Sequence, residues 1–141
     1  MKTFFNTVEI RLLKFFFLIT DLGMIIYWSI TYLKLIPEEF LFKDYTNPIL
    51  MSWNWSFLPL DLFIPLTGLS SLFYIKKNPF LFERLALISL LFTSISGLQA
   101  VSFWTIRSDF DPNWWIPNLY LLLYPLYFIY RLLKETKKVS A

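Results

Sequence analysis

The sequence contains no cysteine and no histidine. The first absence excludes disulfides, thiol redox chemistry and thiolate metal sites. The second removes the usual proton shuttle and nucleophile activator. Together they leave little from which to build a zinc, haem or copper centre. No metal, cofactor or catalytic constellation is therefore expected, and any proton chemistry rests on Asp, Glu, Lys, Tyr or water. Charge is also scarce: Asp, Glu, Lys and Arg make up 16% of 141 residues, against roughly a quarter in soluble domains. No alanine precedes Ala86, so no small-residue A-x-A-like cleavage site follows the first apolar run, and a cleaved signal peptide is not expected.

In their place stand apolar and aromatic residues. Hydrophobic side chains are 57% of the chain and aromatics 21%, with six Trp, eight Tyr and sixteen Phe. Such rings collect at the two water–lipid interfaces of membrane proteins. Hydrophobic runs near the ~20 residues a bilayer requires recur along the chain. The expected fold is an all-α, integral-membrane four-helix bundle in one domain, 1–141. Its spans lie at about 15–33, 55–75, 84–104 and 114–133. Residues 1–14 read as an interfacial helix running into the first span, 34–53 as an outer cap segment, and 134–141 as a basic tail. The cap segment carries Phe40, Phe42, Tyr45, Ile49 and Leu50 among its charges. It either covers the outer mouth or wets the headgroups. Asp111-Pro112 reads as a helix cap followed by proline at the first helical position.

Lys2, Arg11, Lys14, Lys76, Lys77, Arg84, Arg131, Lys134, Lys137 and Lys138 fall on one side of this topology, against Lys34, Lys43 and Arg107 on the other. The positive-inside rule then puts both termini in the cytoplasm of a multi-pass protein of the cell membrane. The net charge of +3 follows from those basic loops and does not imply nucleic-acid binding.

The stretch Ser52-Trp-Asn-Trp-Ser-Phe-Leu-Pro-Leu-Asp-Leu-Phe-Ile-Pro65 organises the rest. It opens the second span with two tryptophans, then places Asp61 between Pro59 and Pro65. An ionisable residue in hydrocarbon is costly and marks a candidate site. The prolines are expected to free backbone carbonyls that need partners inside the protein. Asp61 falls roughly 9 Å below Trp55 at the helical rise. Gln99 and Asn118 fall at a similar depth, with Asn54, Trp55 and Trp115 near the mouth. These residues form either an outward-facing, aromatic-walled ligand pocket or a hydrogen-bonded network that fixes the helices. Arg107 is the nearest basic candidate to pair with Asp61. Asp21 lies deeper, as a polar or proton-relay position without an assigned partner. In the last span Tyr120, Tyr124 and Tyr127 share one face and Asn118 the opposite one, so both faces are not expected to reach one pocket. The small residues of span three, among them Ser89, Thr93, Ser96, Gly97 and Ala100, fall on one face and suit close helix packing.

At the stretch quoted above, and at Ser102-Phe-Trp-Thr-Ile-Arg-Ser-Asp-Phe-Asp-Pro-Asn-Trp-Trp-Ile-Pro117, the chain resembles the YvaD-type family, small uncharacterised four-span membrane proteins of Bacillus and its relatives. The resemblance covers nearly the whole chain and implies fold and location but no activity. A weaker, architectural likeness is to the EXPERA superfamily, in which acids of the first two spans surround a cavity for sterols or hydrophobic amines. Asp61-Leu-Phe-Ile-Pro65 is similar to the acidic start of its second-span motif. Without histidine, isomerase chemistry does not carry over.

Three readings follow. The first is a binder of a lipid-like or cationic amphipathic small molecule around Asp61. The second is a structural or accessory membrane protein, such as a transporter or sensor subunit, with no ligand. Assembly as a homodimer or beside a membrane partner is open to the chain. The third is a proton-coupled carrier or small membrane enzyme using Asp61 and Asp21. The sequence leans away from an enzyme.

Overall fold

The computed structural model describes residues 5–139, with side chains as far as Lys134. The two ends of the expected interfacial helix and basic tail, residues 1–4 and 140–141, lie outside the described residues. The described chain is helical, with no strand: α1 (Thr7–Tyr32), a 3-10 turn (Glu38–Phe40), α2 (Pro48–Trp55), α3 (Leu58–Tyr74), α4 (Pro79–Ile106) and α5 (Pro112–Val139).

Local chemistry sets these boundaries. Three helices begin at an Asn-Pro or Asp-Pro step: Asn47-Pro48, Asn78-Pro79 and Asp111-Pro112. In each the side-chain oxygen accepts an orphan N–H of the first turn, from Ile49 at 2.9 Å, Leu81 at 3.1 Å and Asn113 at 2.9 Å. Proline follows at a position whose own N–H would go unused. The second and third helical stretches therefore start at Pro48 and Pro79, several residues before the expected 55 and 84. α1 starts with a reciprocal capping box. Asn6 Oδ1 accepts from the Glu9 N–H, and the Asn6 N–H donates to the Glu9 carboxylate. The interfacial segment and the first long helix are thus one continuous element.

α2 and α3 are separated by a short break at Ser56 and Phe57. Pro59 explains it, because its ring would collide with the carbonyl of Trp55 in a continuous helix. Within α3 it sits in the first turn, where no intrahelical donor is lost. The Trp55 carbonyl at the break is left without the bond that a residue with an N–H at position 59 would supply. Pro65 is inside the helix, and next to it Ser89 Oγ of α4 donates to the Ile64 carbonyl at 3.2 Å.

Three stretches are long and apolar enough to cross a membrane: Pro48–Tyr74, Pro79–Ile106 and Pro112–Lys134. α1 packs on α3, α3 on α4 and α4 on α5. At the end holding the α1 N-terminus, Leu13, Phe17, Phe82, Leu90 and Phe128 form a dry core. Beside it Arg131 pairs with Glu9 at 2.5 Å, and this bond holds the Glu9 carboxyl below the ordinary carboxylate range. At the opposite, tryptophan-rich end, Trp28, Phe57 and Ala100 form a second cluster, and Phe42, Leu50 and Trp104 a third. The segment between α1 and α2 folds onto this end. Phe42 is buried against Tyr45, Trp104 and Trp114, and Asp44 is bound by Arg107 at 2.9 Å.

Candidate functional site

Asp61 lies in the first turn of α3, where the partial positive charge of the helix N-terminus favours an anion. It is 5% exposed. One carboxylate oxygen accepts from the Ser96 hydroxyl of α4 at 2.7 Å, the other from the Trp28 indole N–H of α1 at 3.0 Å. Three helices thus converge on one carboxyl group. Both donors are neutral. The ion pairs among the described residues are Arg107–Asp44 and Arg131–Glu9, so the expected pairing of Arg107 with Asp61 is replaced by Arg107 with Asp44. Arg107 is exposed on the loop after α4, and its guanidinium meets the nearer acid.

Asp61 borders a cavity of about 560 Å³ between α1 and α5, with the segment after α1 along its rim. Its walls are apolar and aromatic, with Met24, Tyr27, Trp28, Phe57, Trp104 and Trp114 among them. The size lies within the usual range for small-molecule sites, roughly 300–1,000 Å³. Polar groups are few: Asp61, Ser96, Asn54, Asn113, Asn118, Thr20 and Tyr120.

Of the residues singled out in the sequence, Asp61, Asn54 and Asn118 line this space together. Asn54 is buried and accepts from the Tyr27 hydroxyl at 3.4 Å. Asn118 donates to the Trp114 carbonyl one turn earlier at 2.7 Å. Gln99, Trp55 and Trp115 are not brought in. Gln99 is exposed on α4 and does not border the cavity. Trp55 packs beside Trp28 at 5.4 Å over a separate shallow groove. Trp115 turns to donate to the Asp109 carbonyl at 2.7 Å, because its neighbour Trp114 takes the inward position. Asn118 and Tyr120 both border the cavity, which corrects the expectation that only one of their faces would. The space is wide enough for α5 to present both edges, while Tyr124 stacks on Phe16 below it at 4.7 Å.

Asp21 does not line the cavity. It is fully buried, and neither carboxyl oxygen has a hydrogen-bond partner among the described residues. It presses on α3 at Gly68, where a Cβ would collide with its carboxyl group. Ser89, Thr93, Ser96, Gly97 and Ala100 are all buried on α4. At Gly97 a Cβ would stand 2.5 Å from the Leu122 nitrogen and 2.6 Å from the Asn118 carbonyl, so α5 backbone occupies that space.

Sequence reading missed Trp28 and Trp114 as cavity residues and Trp28 as a partner of Asp61. A signal was present: Asp21, Met24 and Trp28 recur at three- and four-residue spacing, which puts them on one helical face. Among the described residues no group of His, Cys, Asp and Glu is arranged to hold a metal ion.

A family model matches residues 13–139, and its description is a family of unknown function, DUF5360. The chain belongs to this family. It is 52% identical over 130 residues to the Bacillus subtilis (strain 168) protein titled "Uncharacterized protein YvaD", with 92% of this chain and 98% of that protein covered. The YvaD-type resemblance thus holds at the level of sequence. The architectural likeness to the EXPERA superfamily finds no support. No solved structure matches.

Proposed function

We propose that this is a four-span protein of the cell membrane with both termini cytoplasmic, and that its cavity holds a cationic amphipathic molecule against Asp61. α1, at 26 residues, is about 39 Å long at the helical rise, enough to cross the hydrocarbon. It turns Leu18, Ile19, Leu22, Ile25 and Ile26 outward, as a lipid-facing helix does. The distribution of Lys and Arg between the loops supports the orientation, and it makes the tryptophan-rich end the outer one.

The observation that carries the ligand reading is the state of Asp61. A carboxylate has about four lone-pair sites, and Trp28 and Ser96 occupy two. It stands in an apolar space of ligand size with no Lys or Arg among the residues that line it, and it has no ion pair among the described residues. An amine or quaternary ammonium supplies the missing charge, and the aromatic walls suit a cation and its apolar body.

A second reading has its own support. Asp61 ties α1 to α3 and α4, which is what a purely structural polar network would do. The substitution Asp61→Asn separates the two. Trp28 can only donate, so the amide oxygen must face it and the amide nitrogen must face Ser96. The Ser96 hydroxyl can turn to accept, so the fold survives and only the charge is lost. Thermal stability is then measured against a panel of alkyl amines. The expected result is a stabilising response in the wild type, absent from Asp61→Asn and weakened at acid pH as the wild-type carboxylate takes up a proton. Equal responses from the two proteins would leave the structural network as the better account.

A further inference from the structure

The seam between α1 and α5 is closed at two levels and open between them. Below, Thr20 and Tyr120 share a hydrogen bond of 3.0 Å, and Phe16 stacks on Tyr124 at 4.7 Å. Above, the Tyr27 ring meets Trp114 edge-on at 6.4 Å. From residue 20 to residue 27 is about 10 Å along a helix. In the middle of that interval stands Gly23. It is exposed, it borders the cavity, and a Cβ built there would meet no atom within 4 Å. The other two glycines behave oppositely, since each is packed against a neighbouring helix. Across the seam the α5 edge is formed by Pro117, Asn118 and Leu121, and the lower α1 edge by the exposed Ile19.

We infer that this opening is a lateral window through which the cavity takes a single-tailed cationic amphiphile from the bilayer, the head at Asp61 and the alkyl tail lying out past Gly23. The inference rests on the ligand reading above and narrows it to a molecule dissolved in the membrane. Three features select that occupant. The window opens on the flank of two long helices whose neighbouring side chains, Ile19, Leu22 and Ile26, are exposed and apolar, so what lies outside it is hydrocarbon. The outer rim of the cavity carries the apolar Leu35, Ile36, Pro37 and Phe40, which favours an occupant with an apolar body over a bare ion from water. The charge faces the cavity at Asp61, while the window is bordered by apolar side chains, one amide and, at its lower edge, the Thr20 and Tyr120 hydroxyls bonded to each other, so a charged head belongs inside and a tail belongs at the opening.

The test uses the full chain in nanodiscs and dodecyltrimethylammonium carrying bromine on its tail. A tail held in the window brings its bromine close to the tryptophans that line the cavity and quenches them. The variants are Gly23→Phe and, as a smaller plug, Gly23→Leu. Nothing within 4 Å opposes either side chain at its root, and both improve on glycine in a helix, so folding is retained. Asp61→Asn serves as the charge control. The expected result is strong quenching in the wild type, none above background in Asp61→Asn, and binding weakened at least about tenfold in both Gly23 variants. Tetramethylammonium, which has no tail to place in the window, should protect the wild type and the Gly23 variants alike in competition. Undiminished quenching in the Gly23 variants with Asp61→Asn inactive would overturn the window and leave the ligand site standing. Absence of quenching in the wild type would overturn both.

Discussion

Lys34, Asp44 and Ser108 hold φ angles of 55°, 61° and 53°, in the left-handed region that favours glycine. Two of them close helices in the same way. After α1, the Leu35 N–H reaches the Ile30 carbonyl and the Lys34 N–H the Thr31 carbonyl. After α4, the Asp109 and Ser108 N–H groups repeat this on Trp104 and Thr105. This is the Schellman pattern, in which glycine is the usual occupant. Lys34→Gly and Ser108→Gly are each expected to stabilise the protein by about 0.5–1 kcal/mol, by relieving Cβ strain. Thermal or denaturant unfolding in detergent measures this, and a loss of stability would mean that those side chains contribute more than the strain costs. At this scale the sequence was partly readable. Asp61 stood out because a lone acid in an apolar run is conspicuous. Trp28 did not, because a tryptophan near a span end has an interfacial explanation ready. Only the crossing of α1 over α3 puts its indole N–H on the carboxylate.

At the scale of elements, helix starts were written in the sequence more fully than hydrophobic runs suggest. Apolar windows find the middle of a span, whereas the Asn-Pro and Asp-Pro steps and the Asn6–Glu9 capping box mark its beginning. The small-residue stripe of α4 marked a buried face, and Gly97 shows why it must be small there. Gly97→Leu drives a branched side chain into α5 backbone. The expected outcome is a loss of at least about 1–3 kcal/mol from overpacking, read as a lowered unfolding midpoint. An unchanged midpoint would mean that α5 moves aside without cost. Long-range ion pairing was not legible, because Glu9 and Arg131 lie 122 residues apart. Their bond ties the start of α1 to the end of α5 and gives a pH signature. A carboxyl whose folded value is depressed contributes stability that is fully present above its unfolded value, about 4.3, and is lost as pH falls through the lower folded value. Glu9→Gln should therefore be less stable than wild type at neutral pH, with the difference shrinking toward zero in acid. A difference that persists in acid would assign the effect to shape and not to charge.

For the whole molecule, composition alone announced a helical protein with membrane-capable segments, since 57% hydrophobic and 16% charged residues leave no soluble alternative of ordinary kind. The cavity was only partly legible: an aromatic-walled pocket at Asp61 was expected from the sequence, but its shape and opening are properties of how α1 and α5 diverge. Periodicity assigns faces within one helix and is silent on the gap between two. The decisive residues of that gap are Gly23, which leaves it open, and Trp114, which takes the inward place expected of Trp115. The proposed function requires that the space beside Asp61 receive a cationic amphiphile. Crystals grown in a lipidic mesophase and soaked with a tail-brominated alkyl trimethylammonium locate such a molecule directly. The expected result is head-group density beside the Asp61 carboxylate and an anomalous bromine peak near Gly23. An empty cavity in crystals whose bilayer shows bromine only at the outer faces of the helices would contradict it.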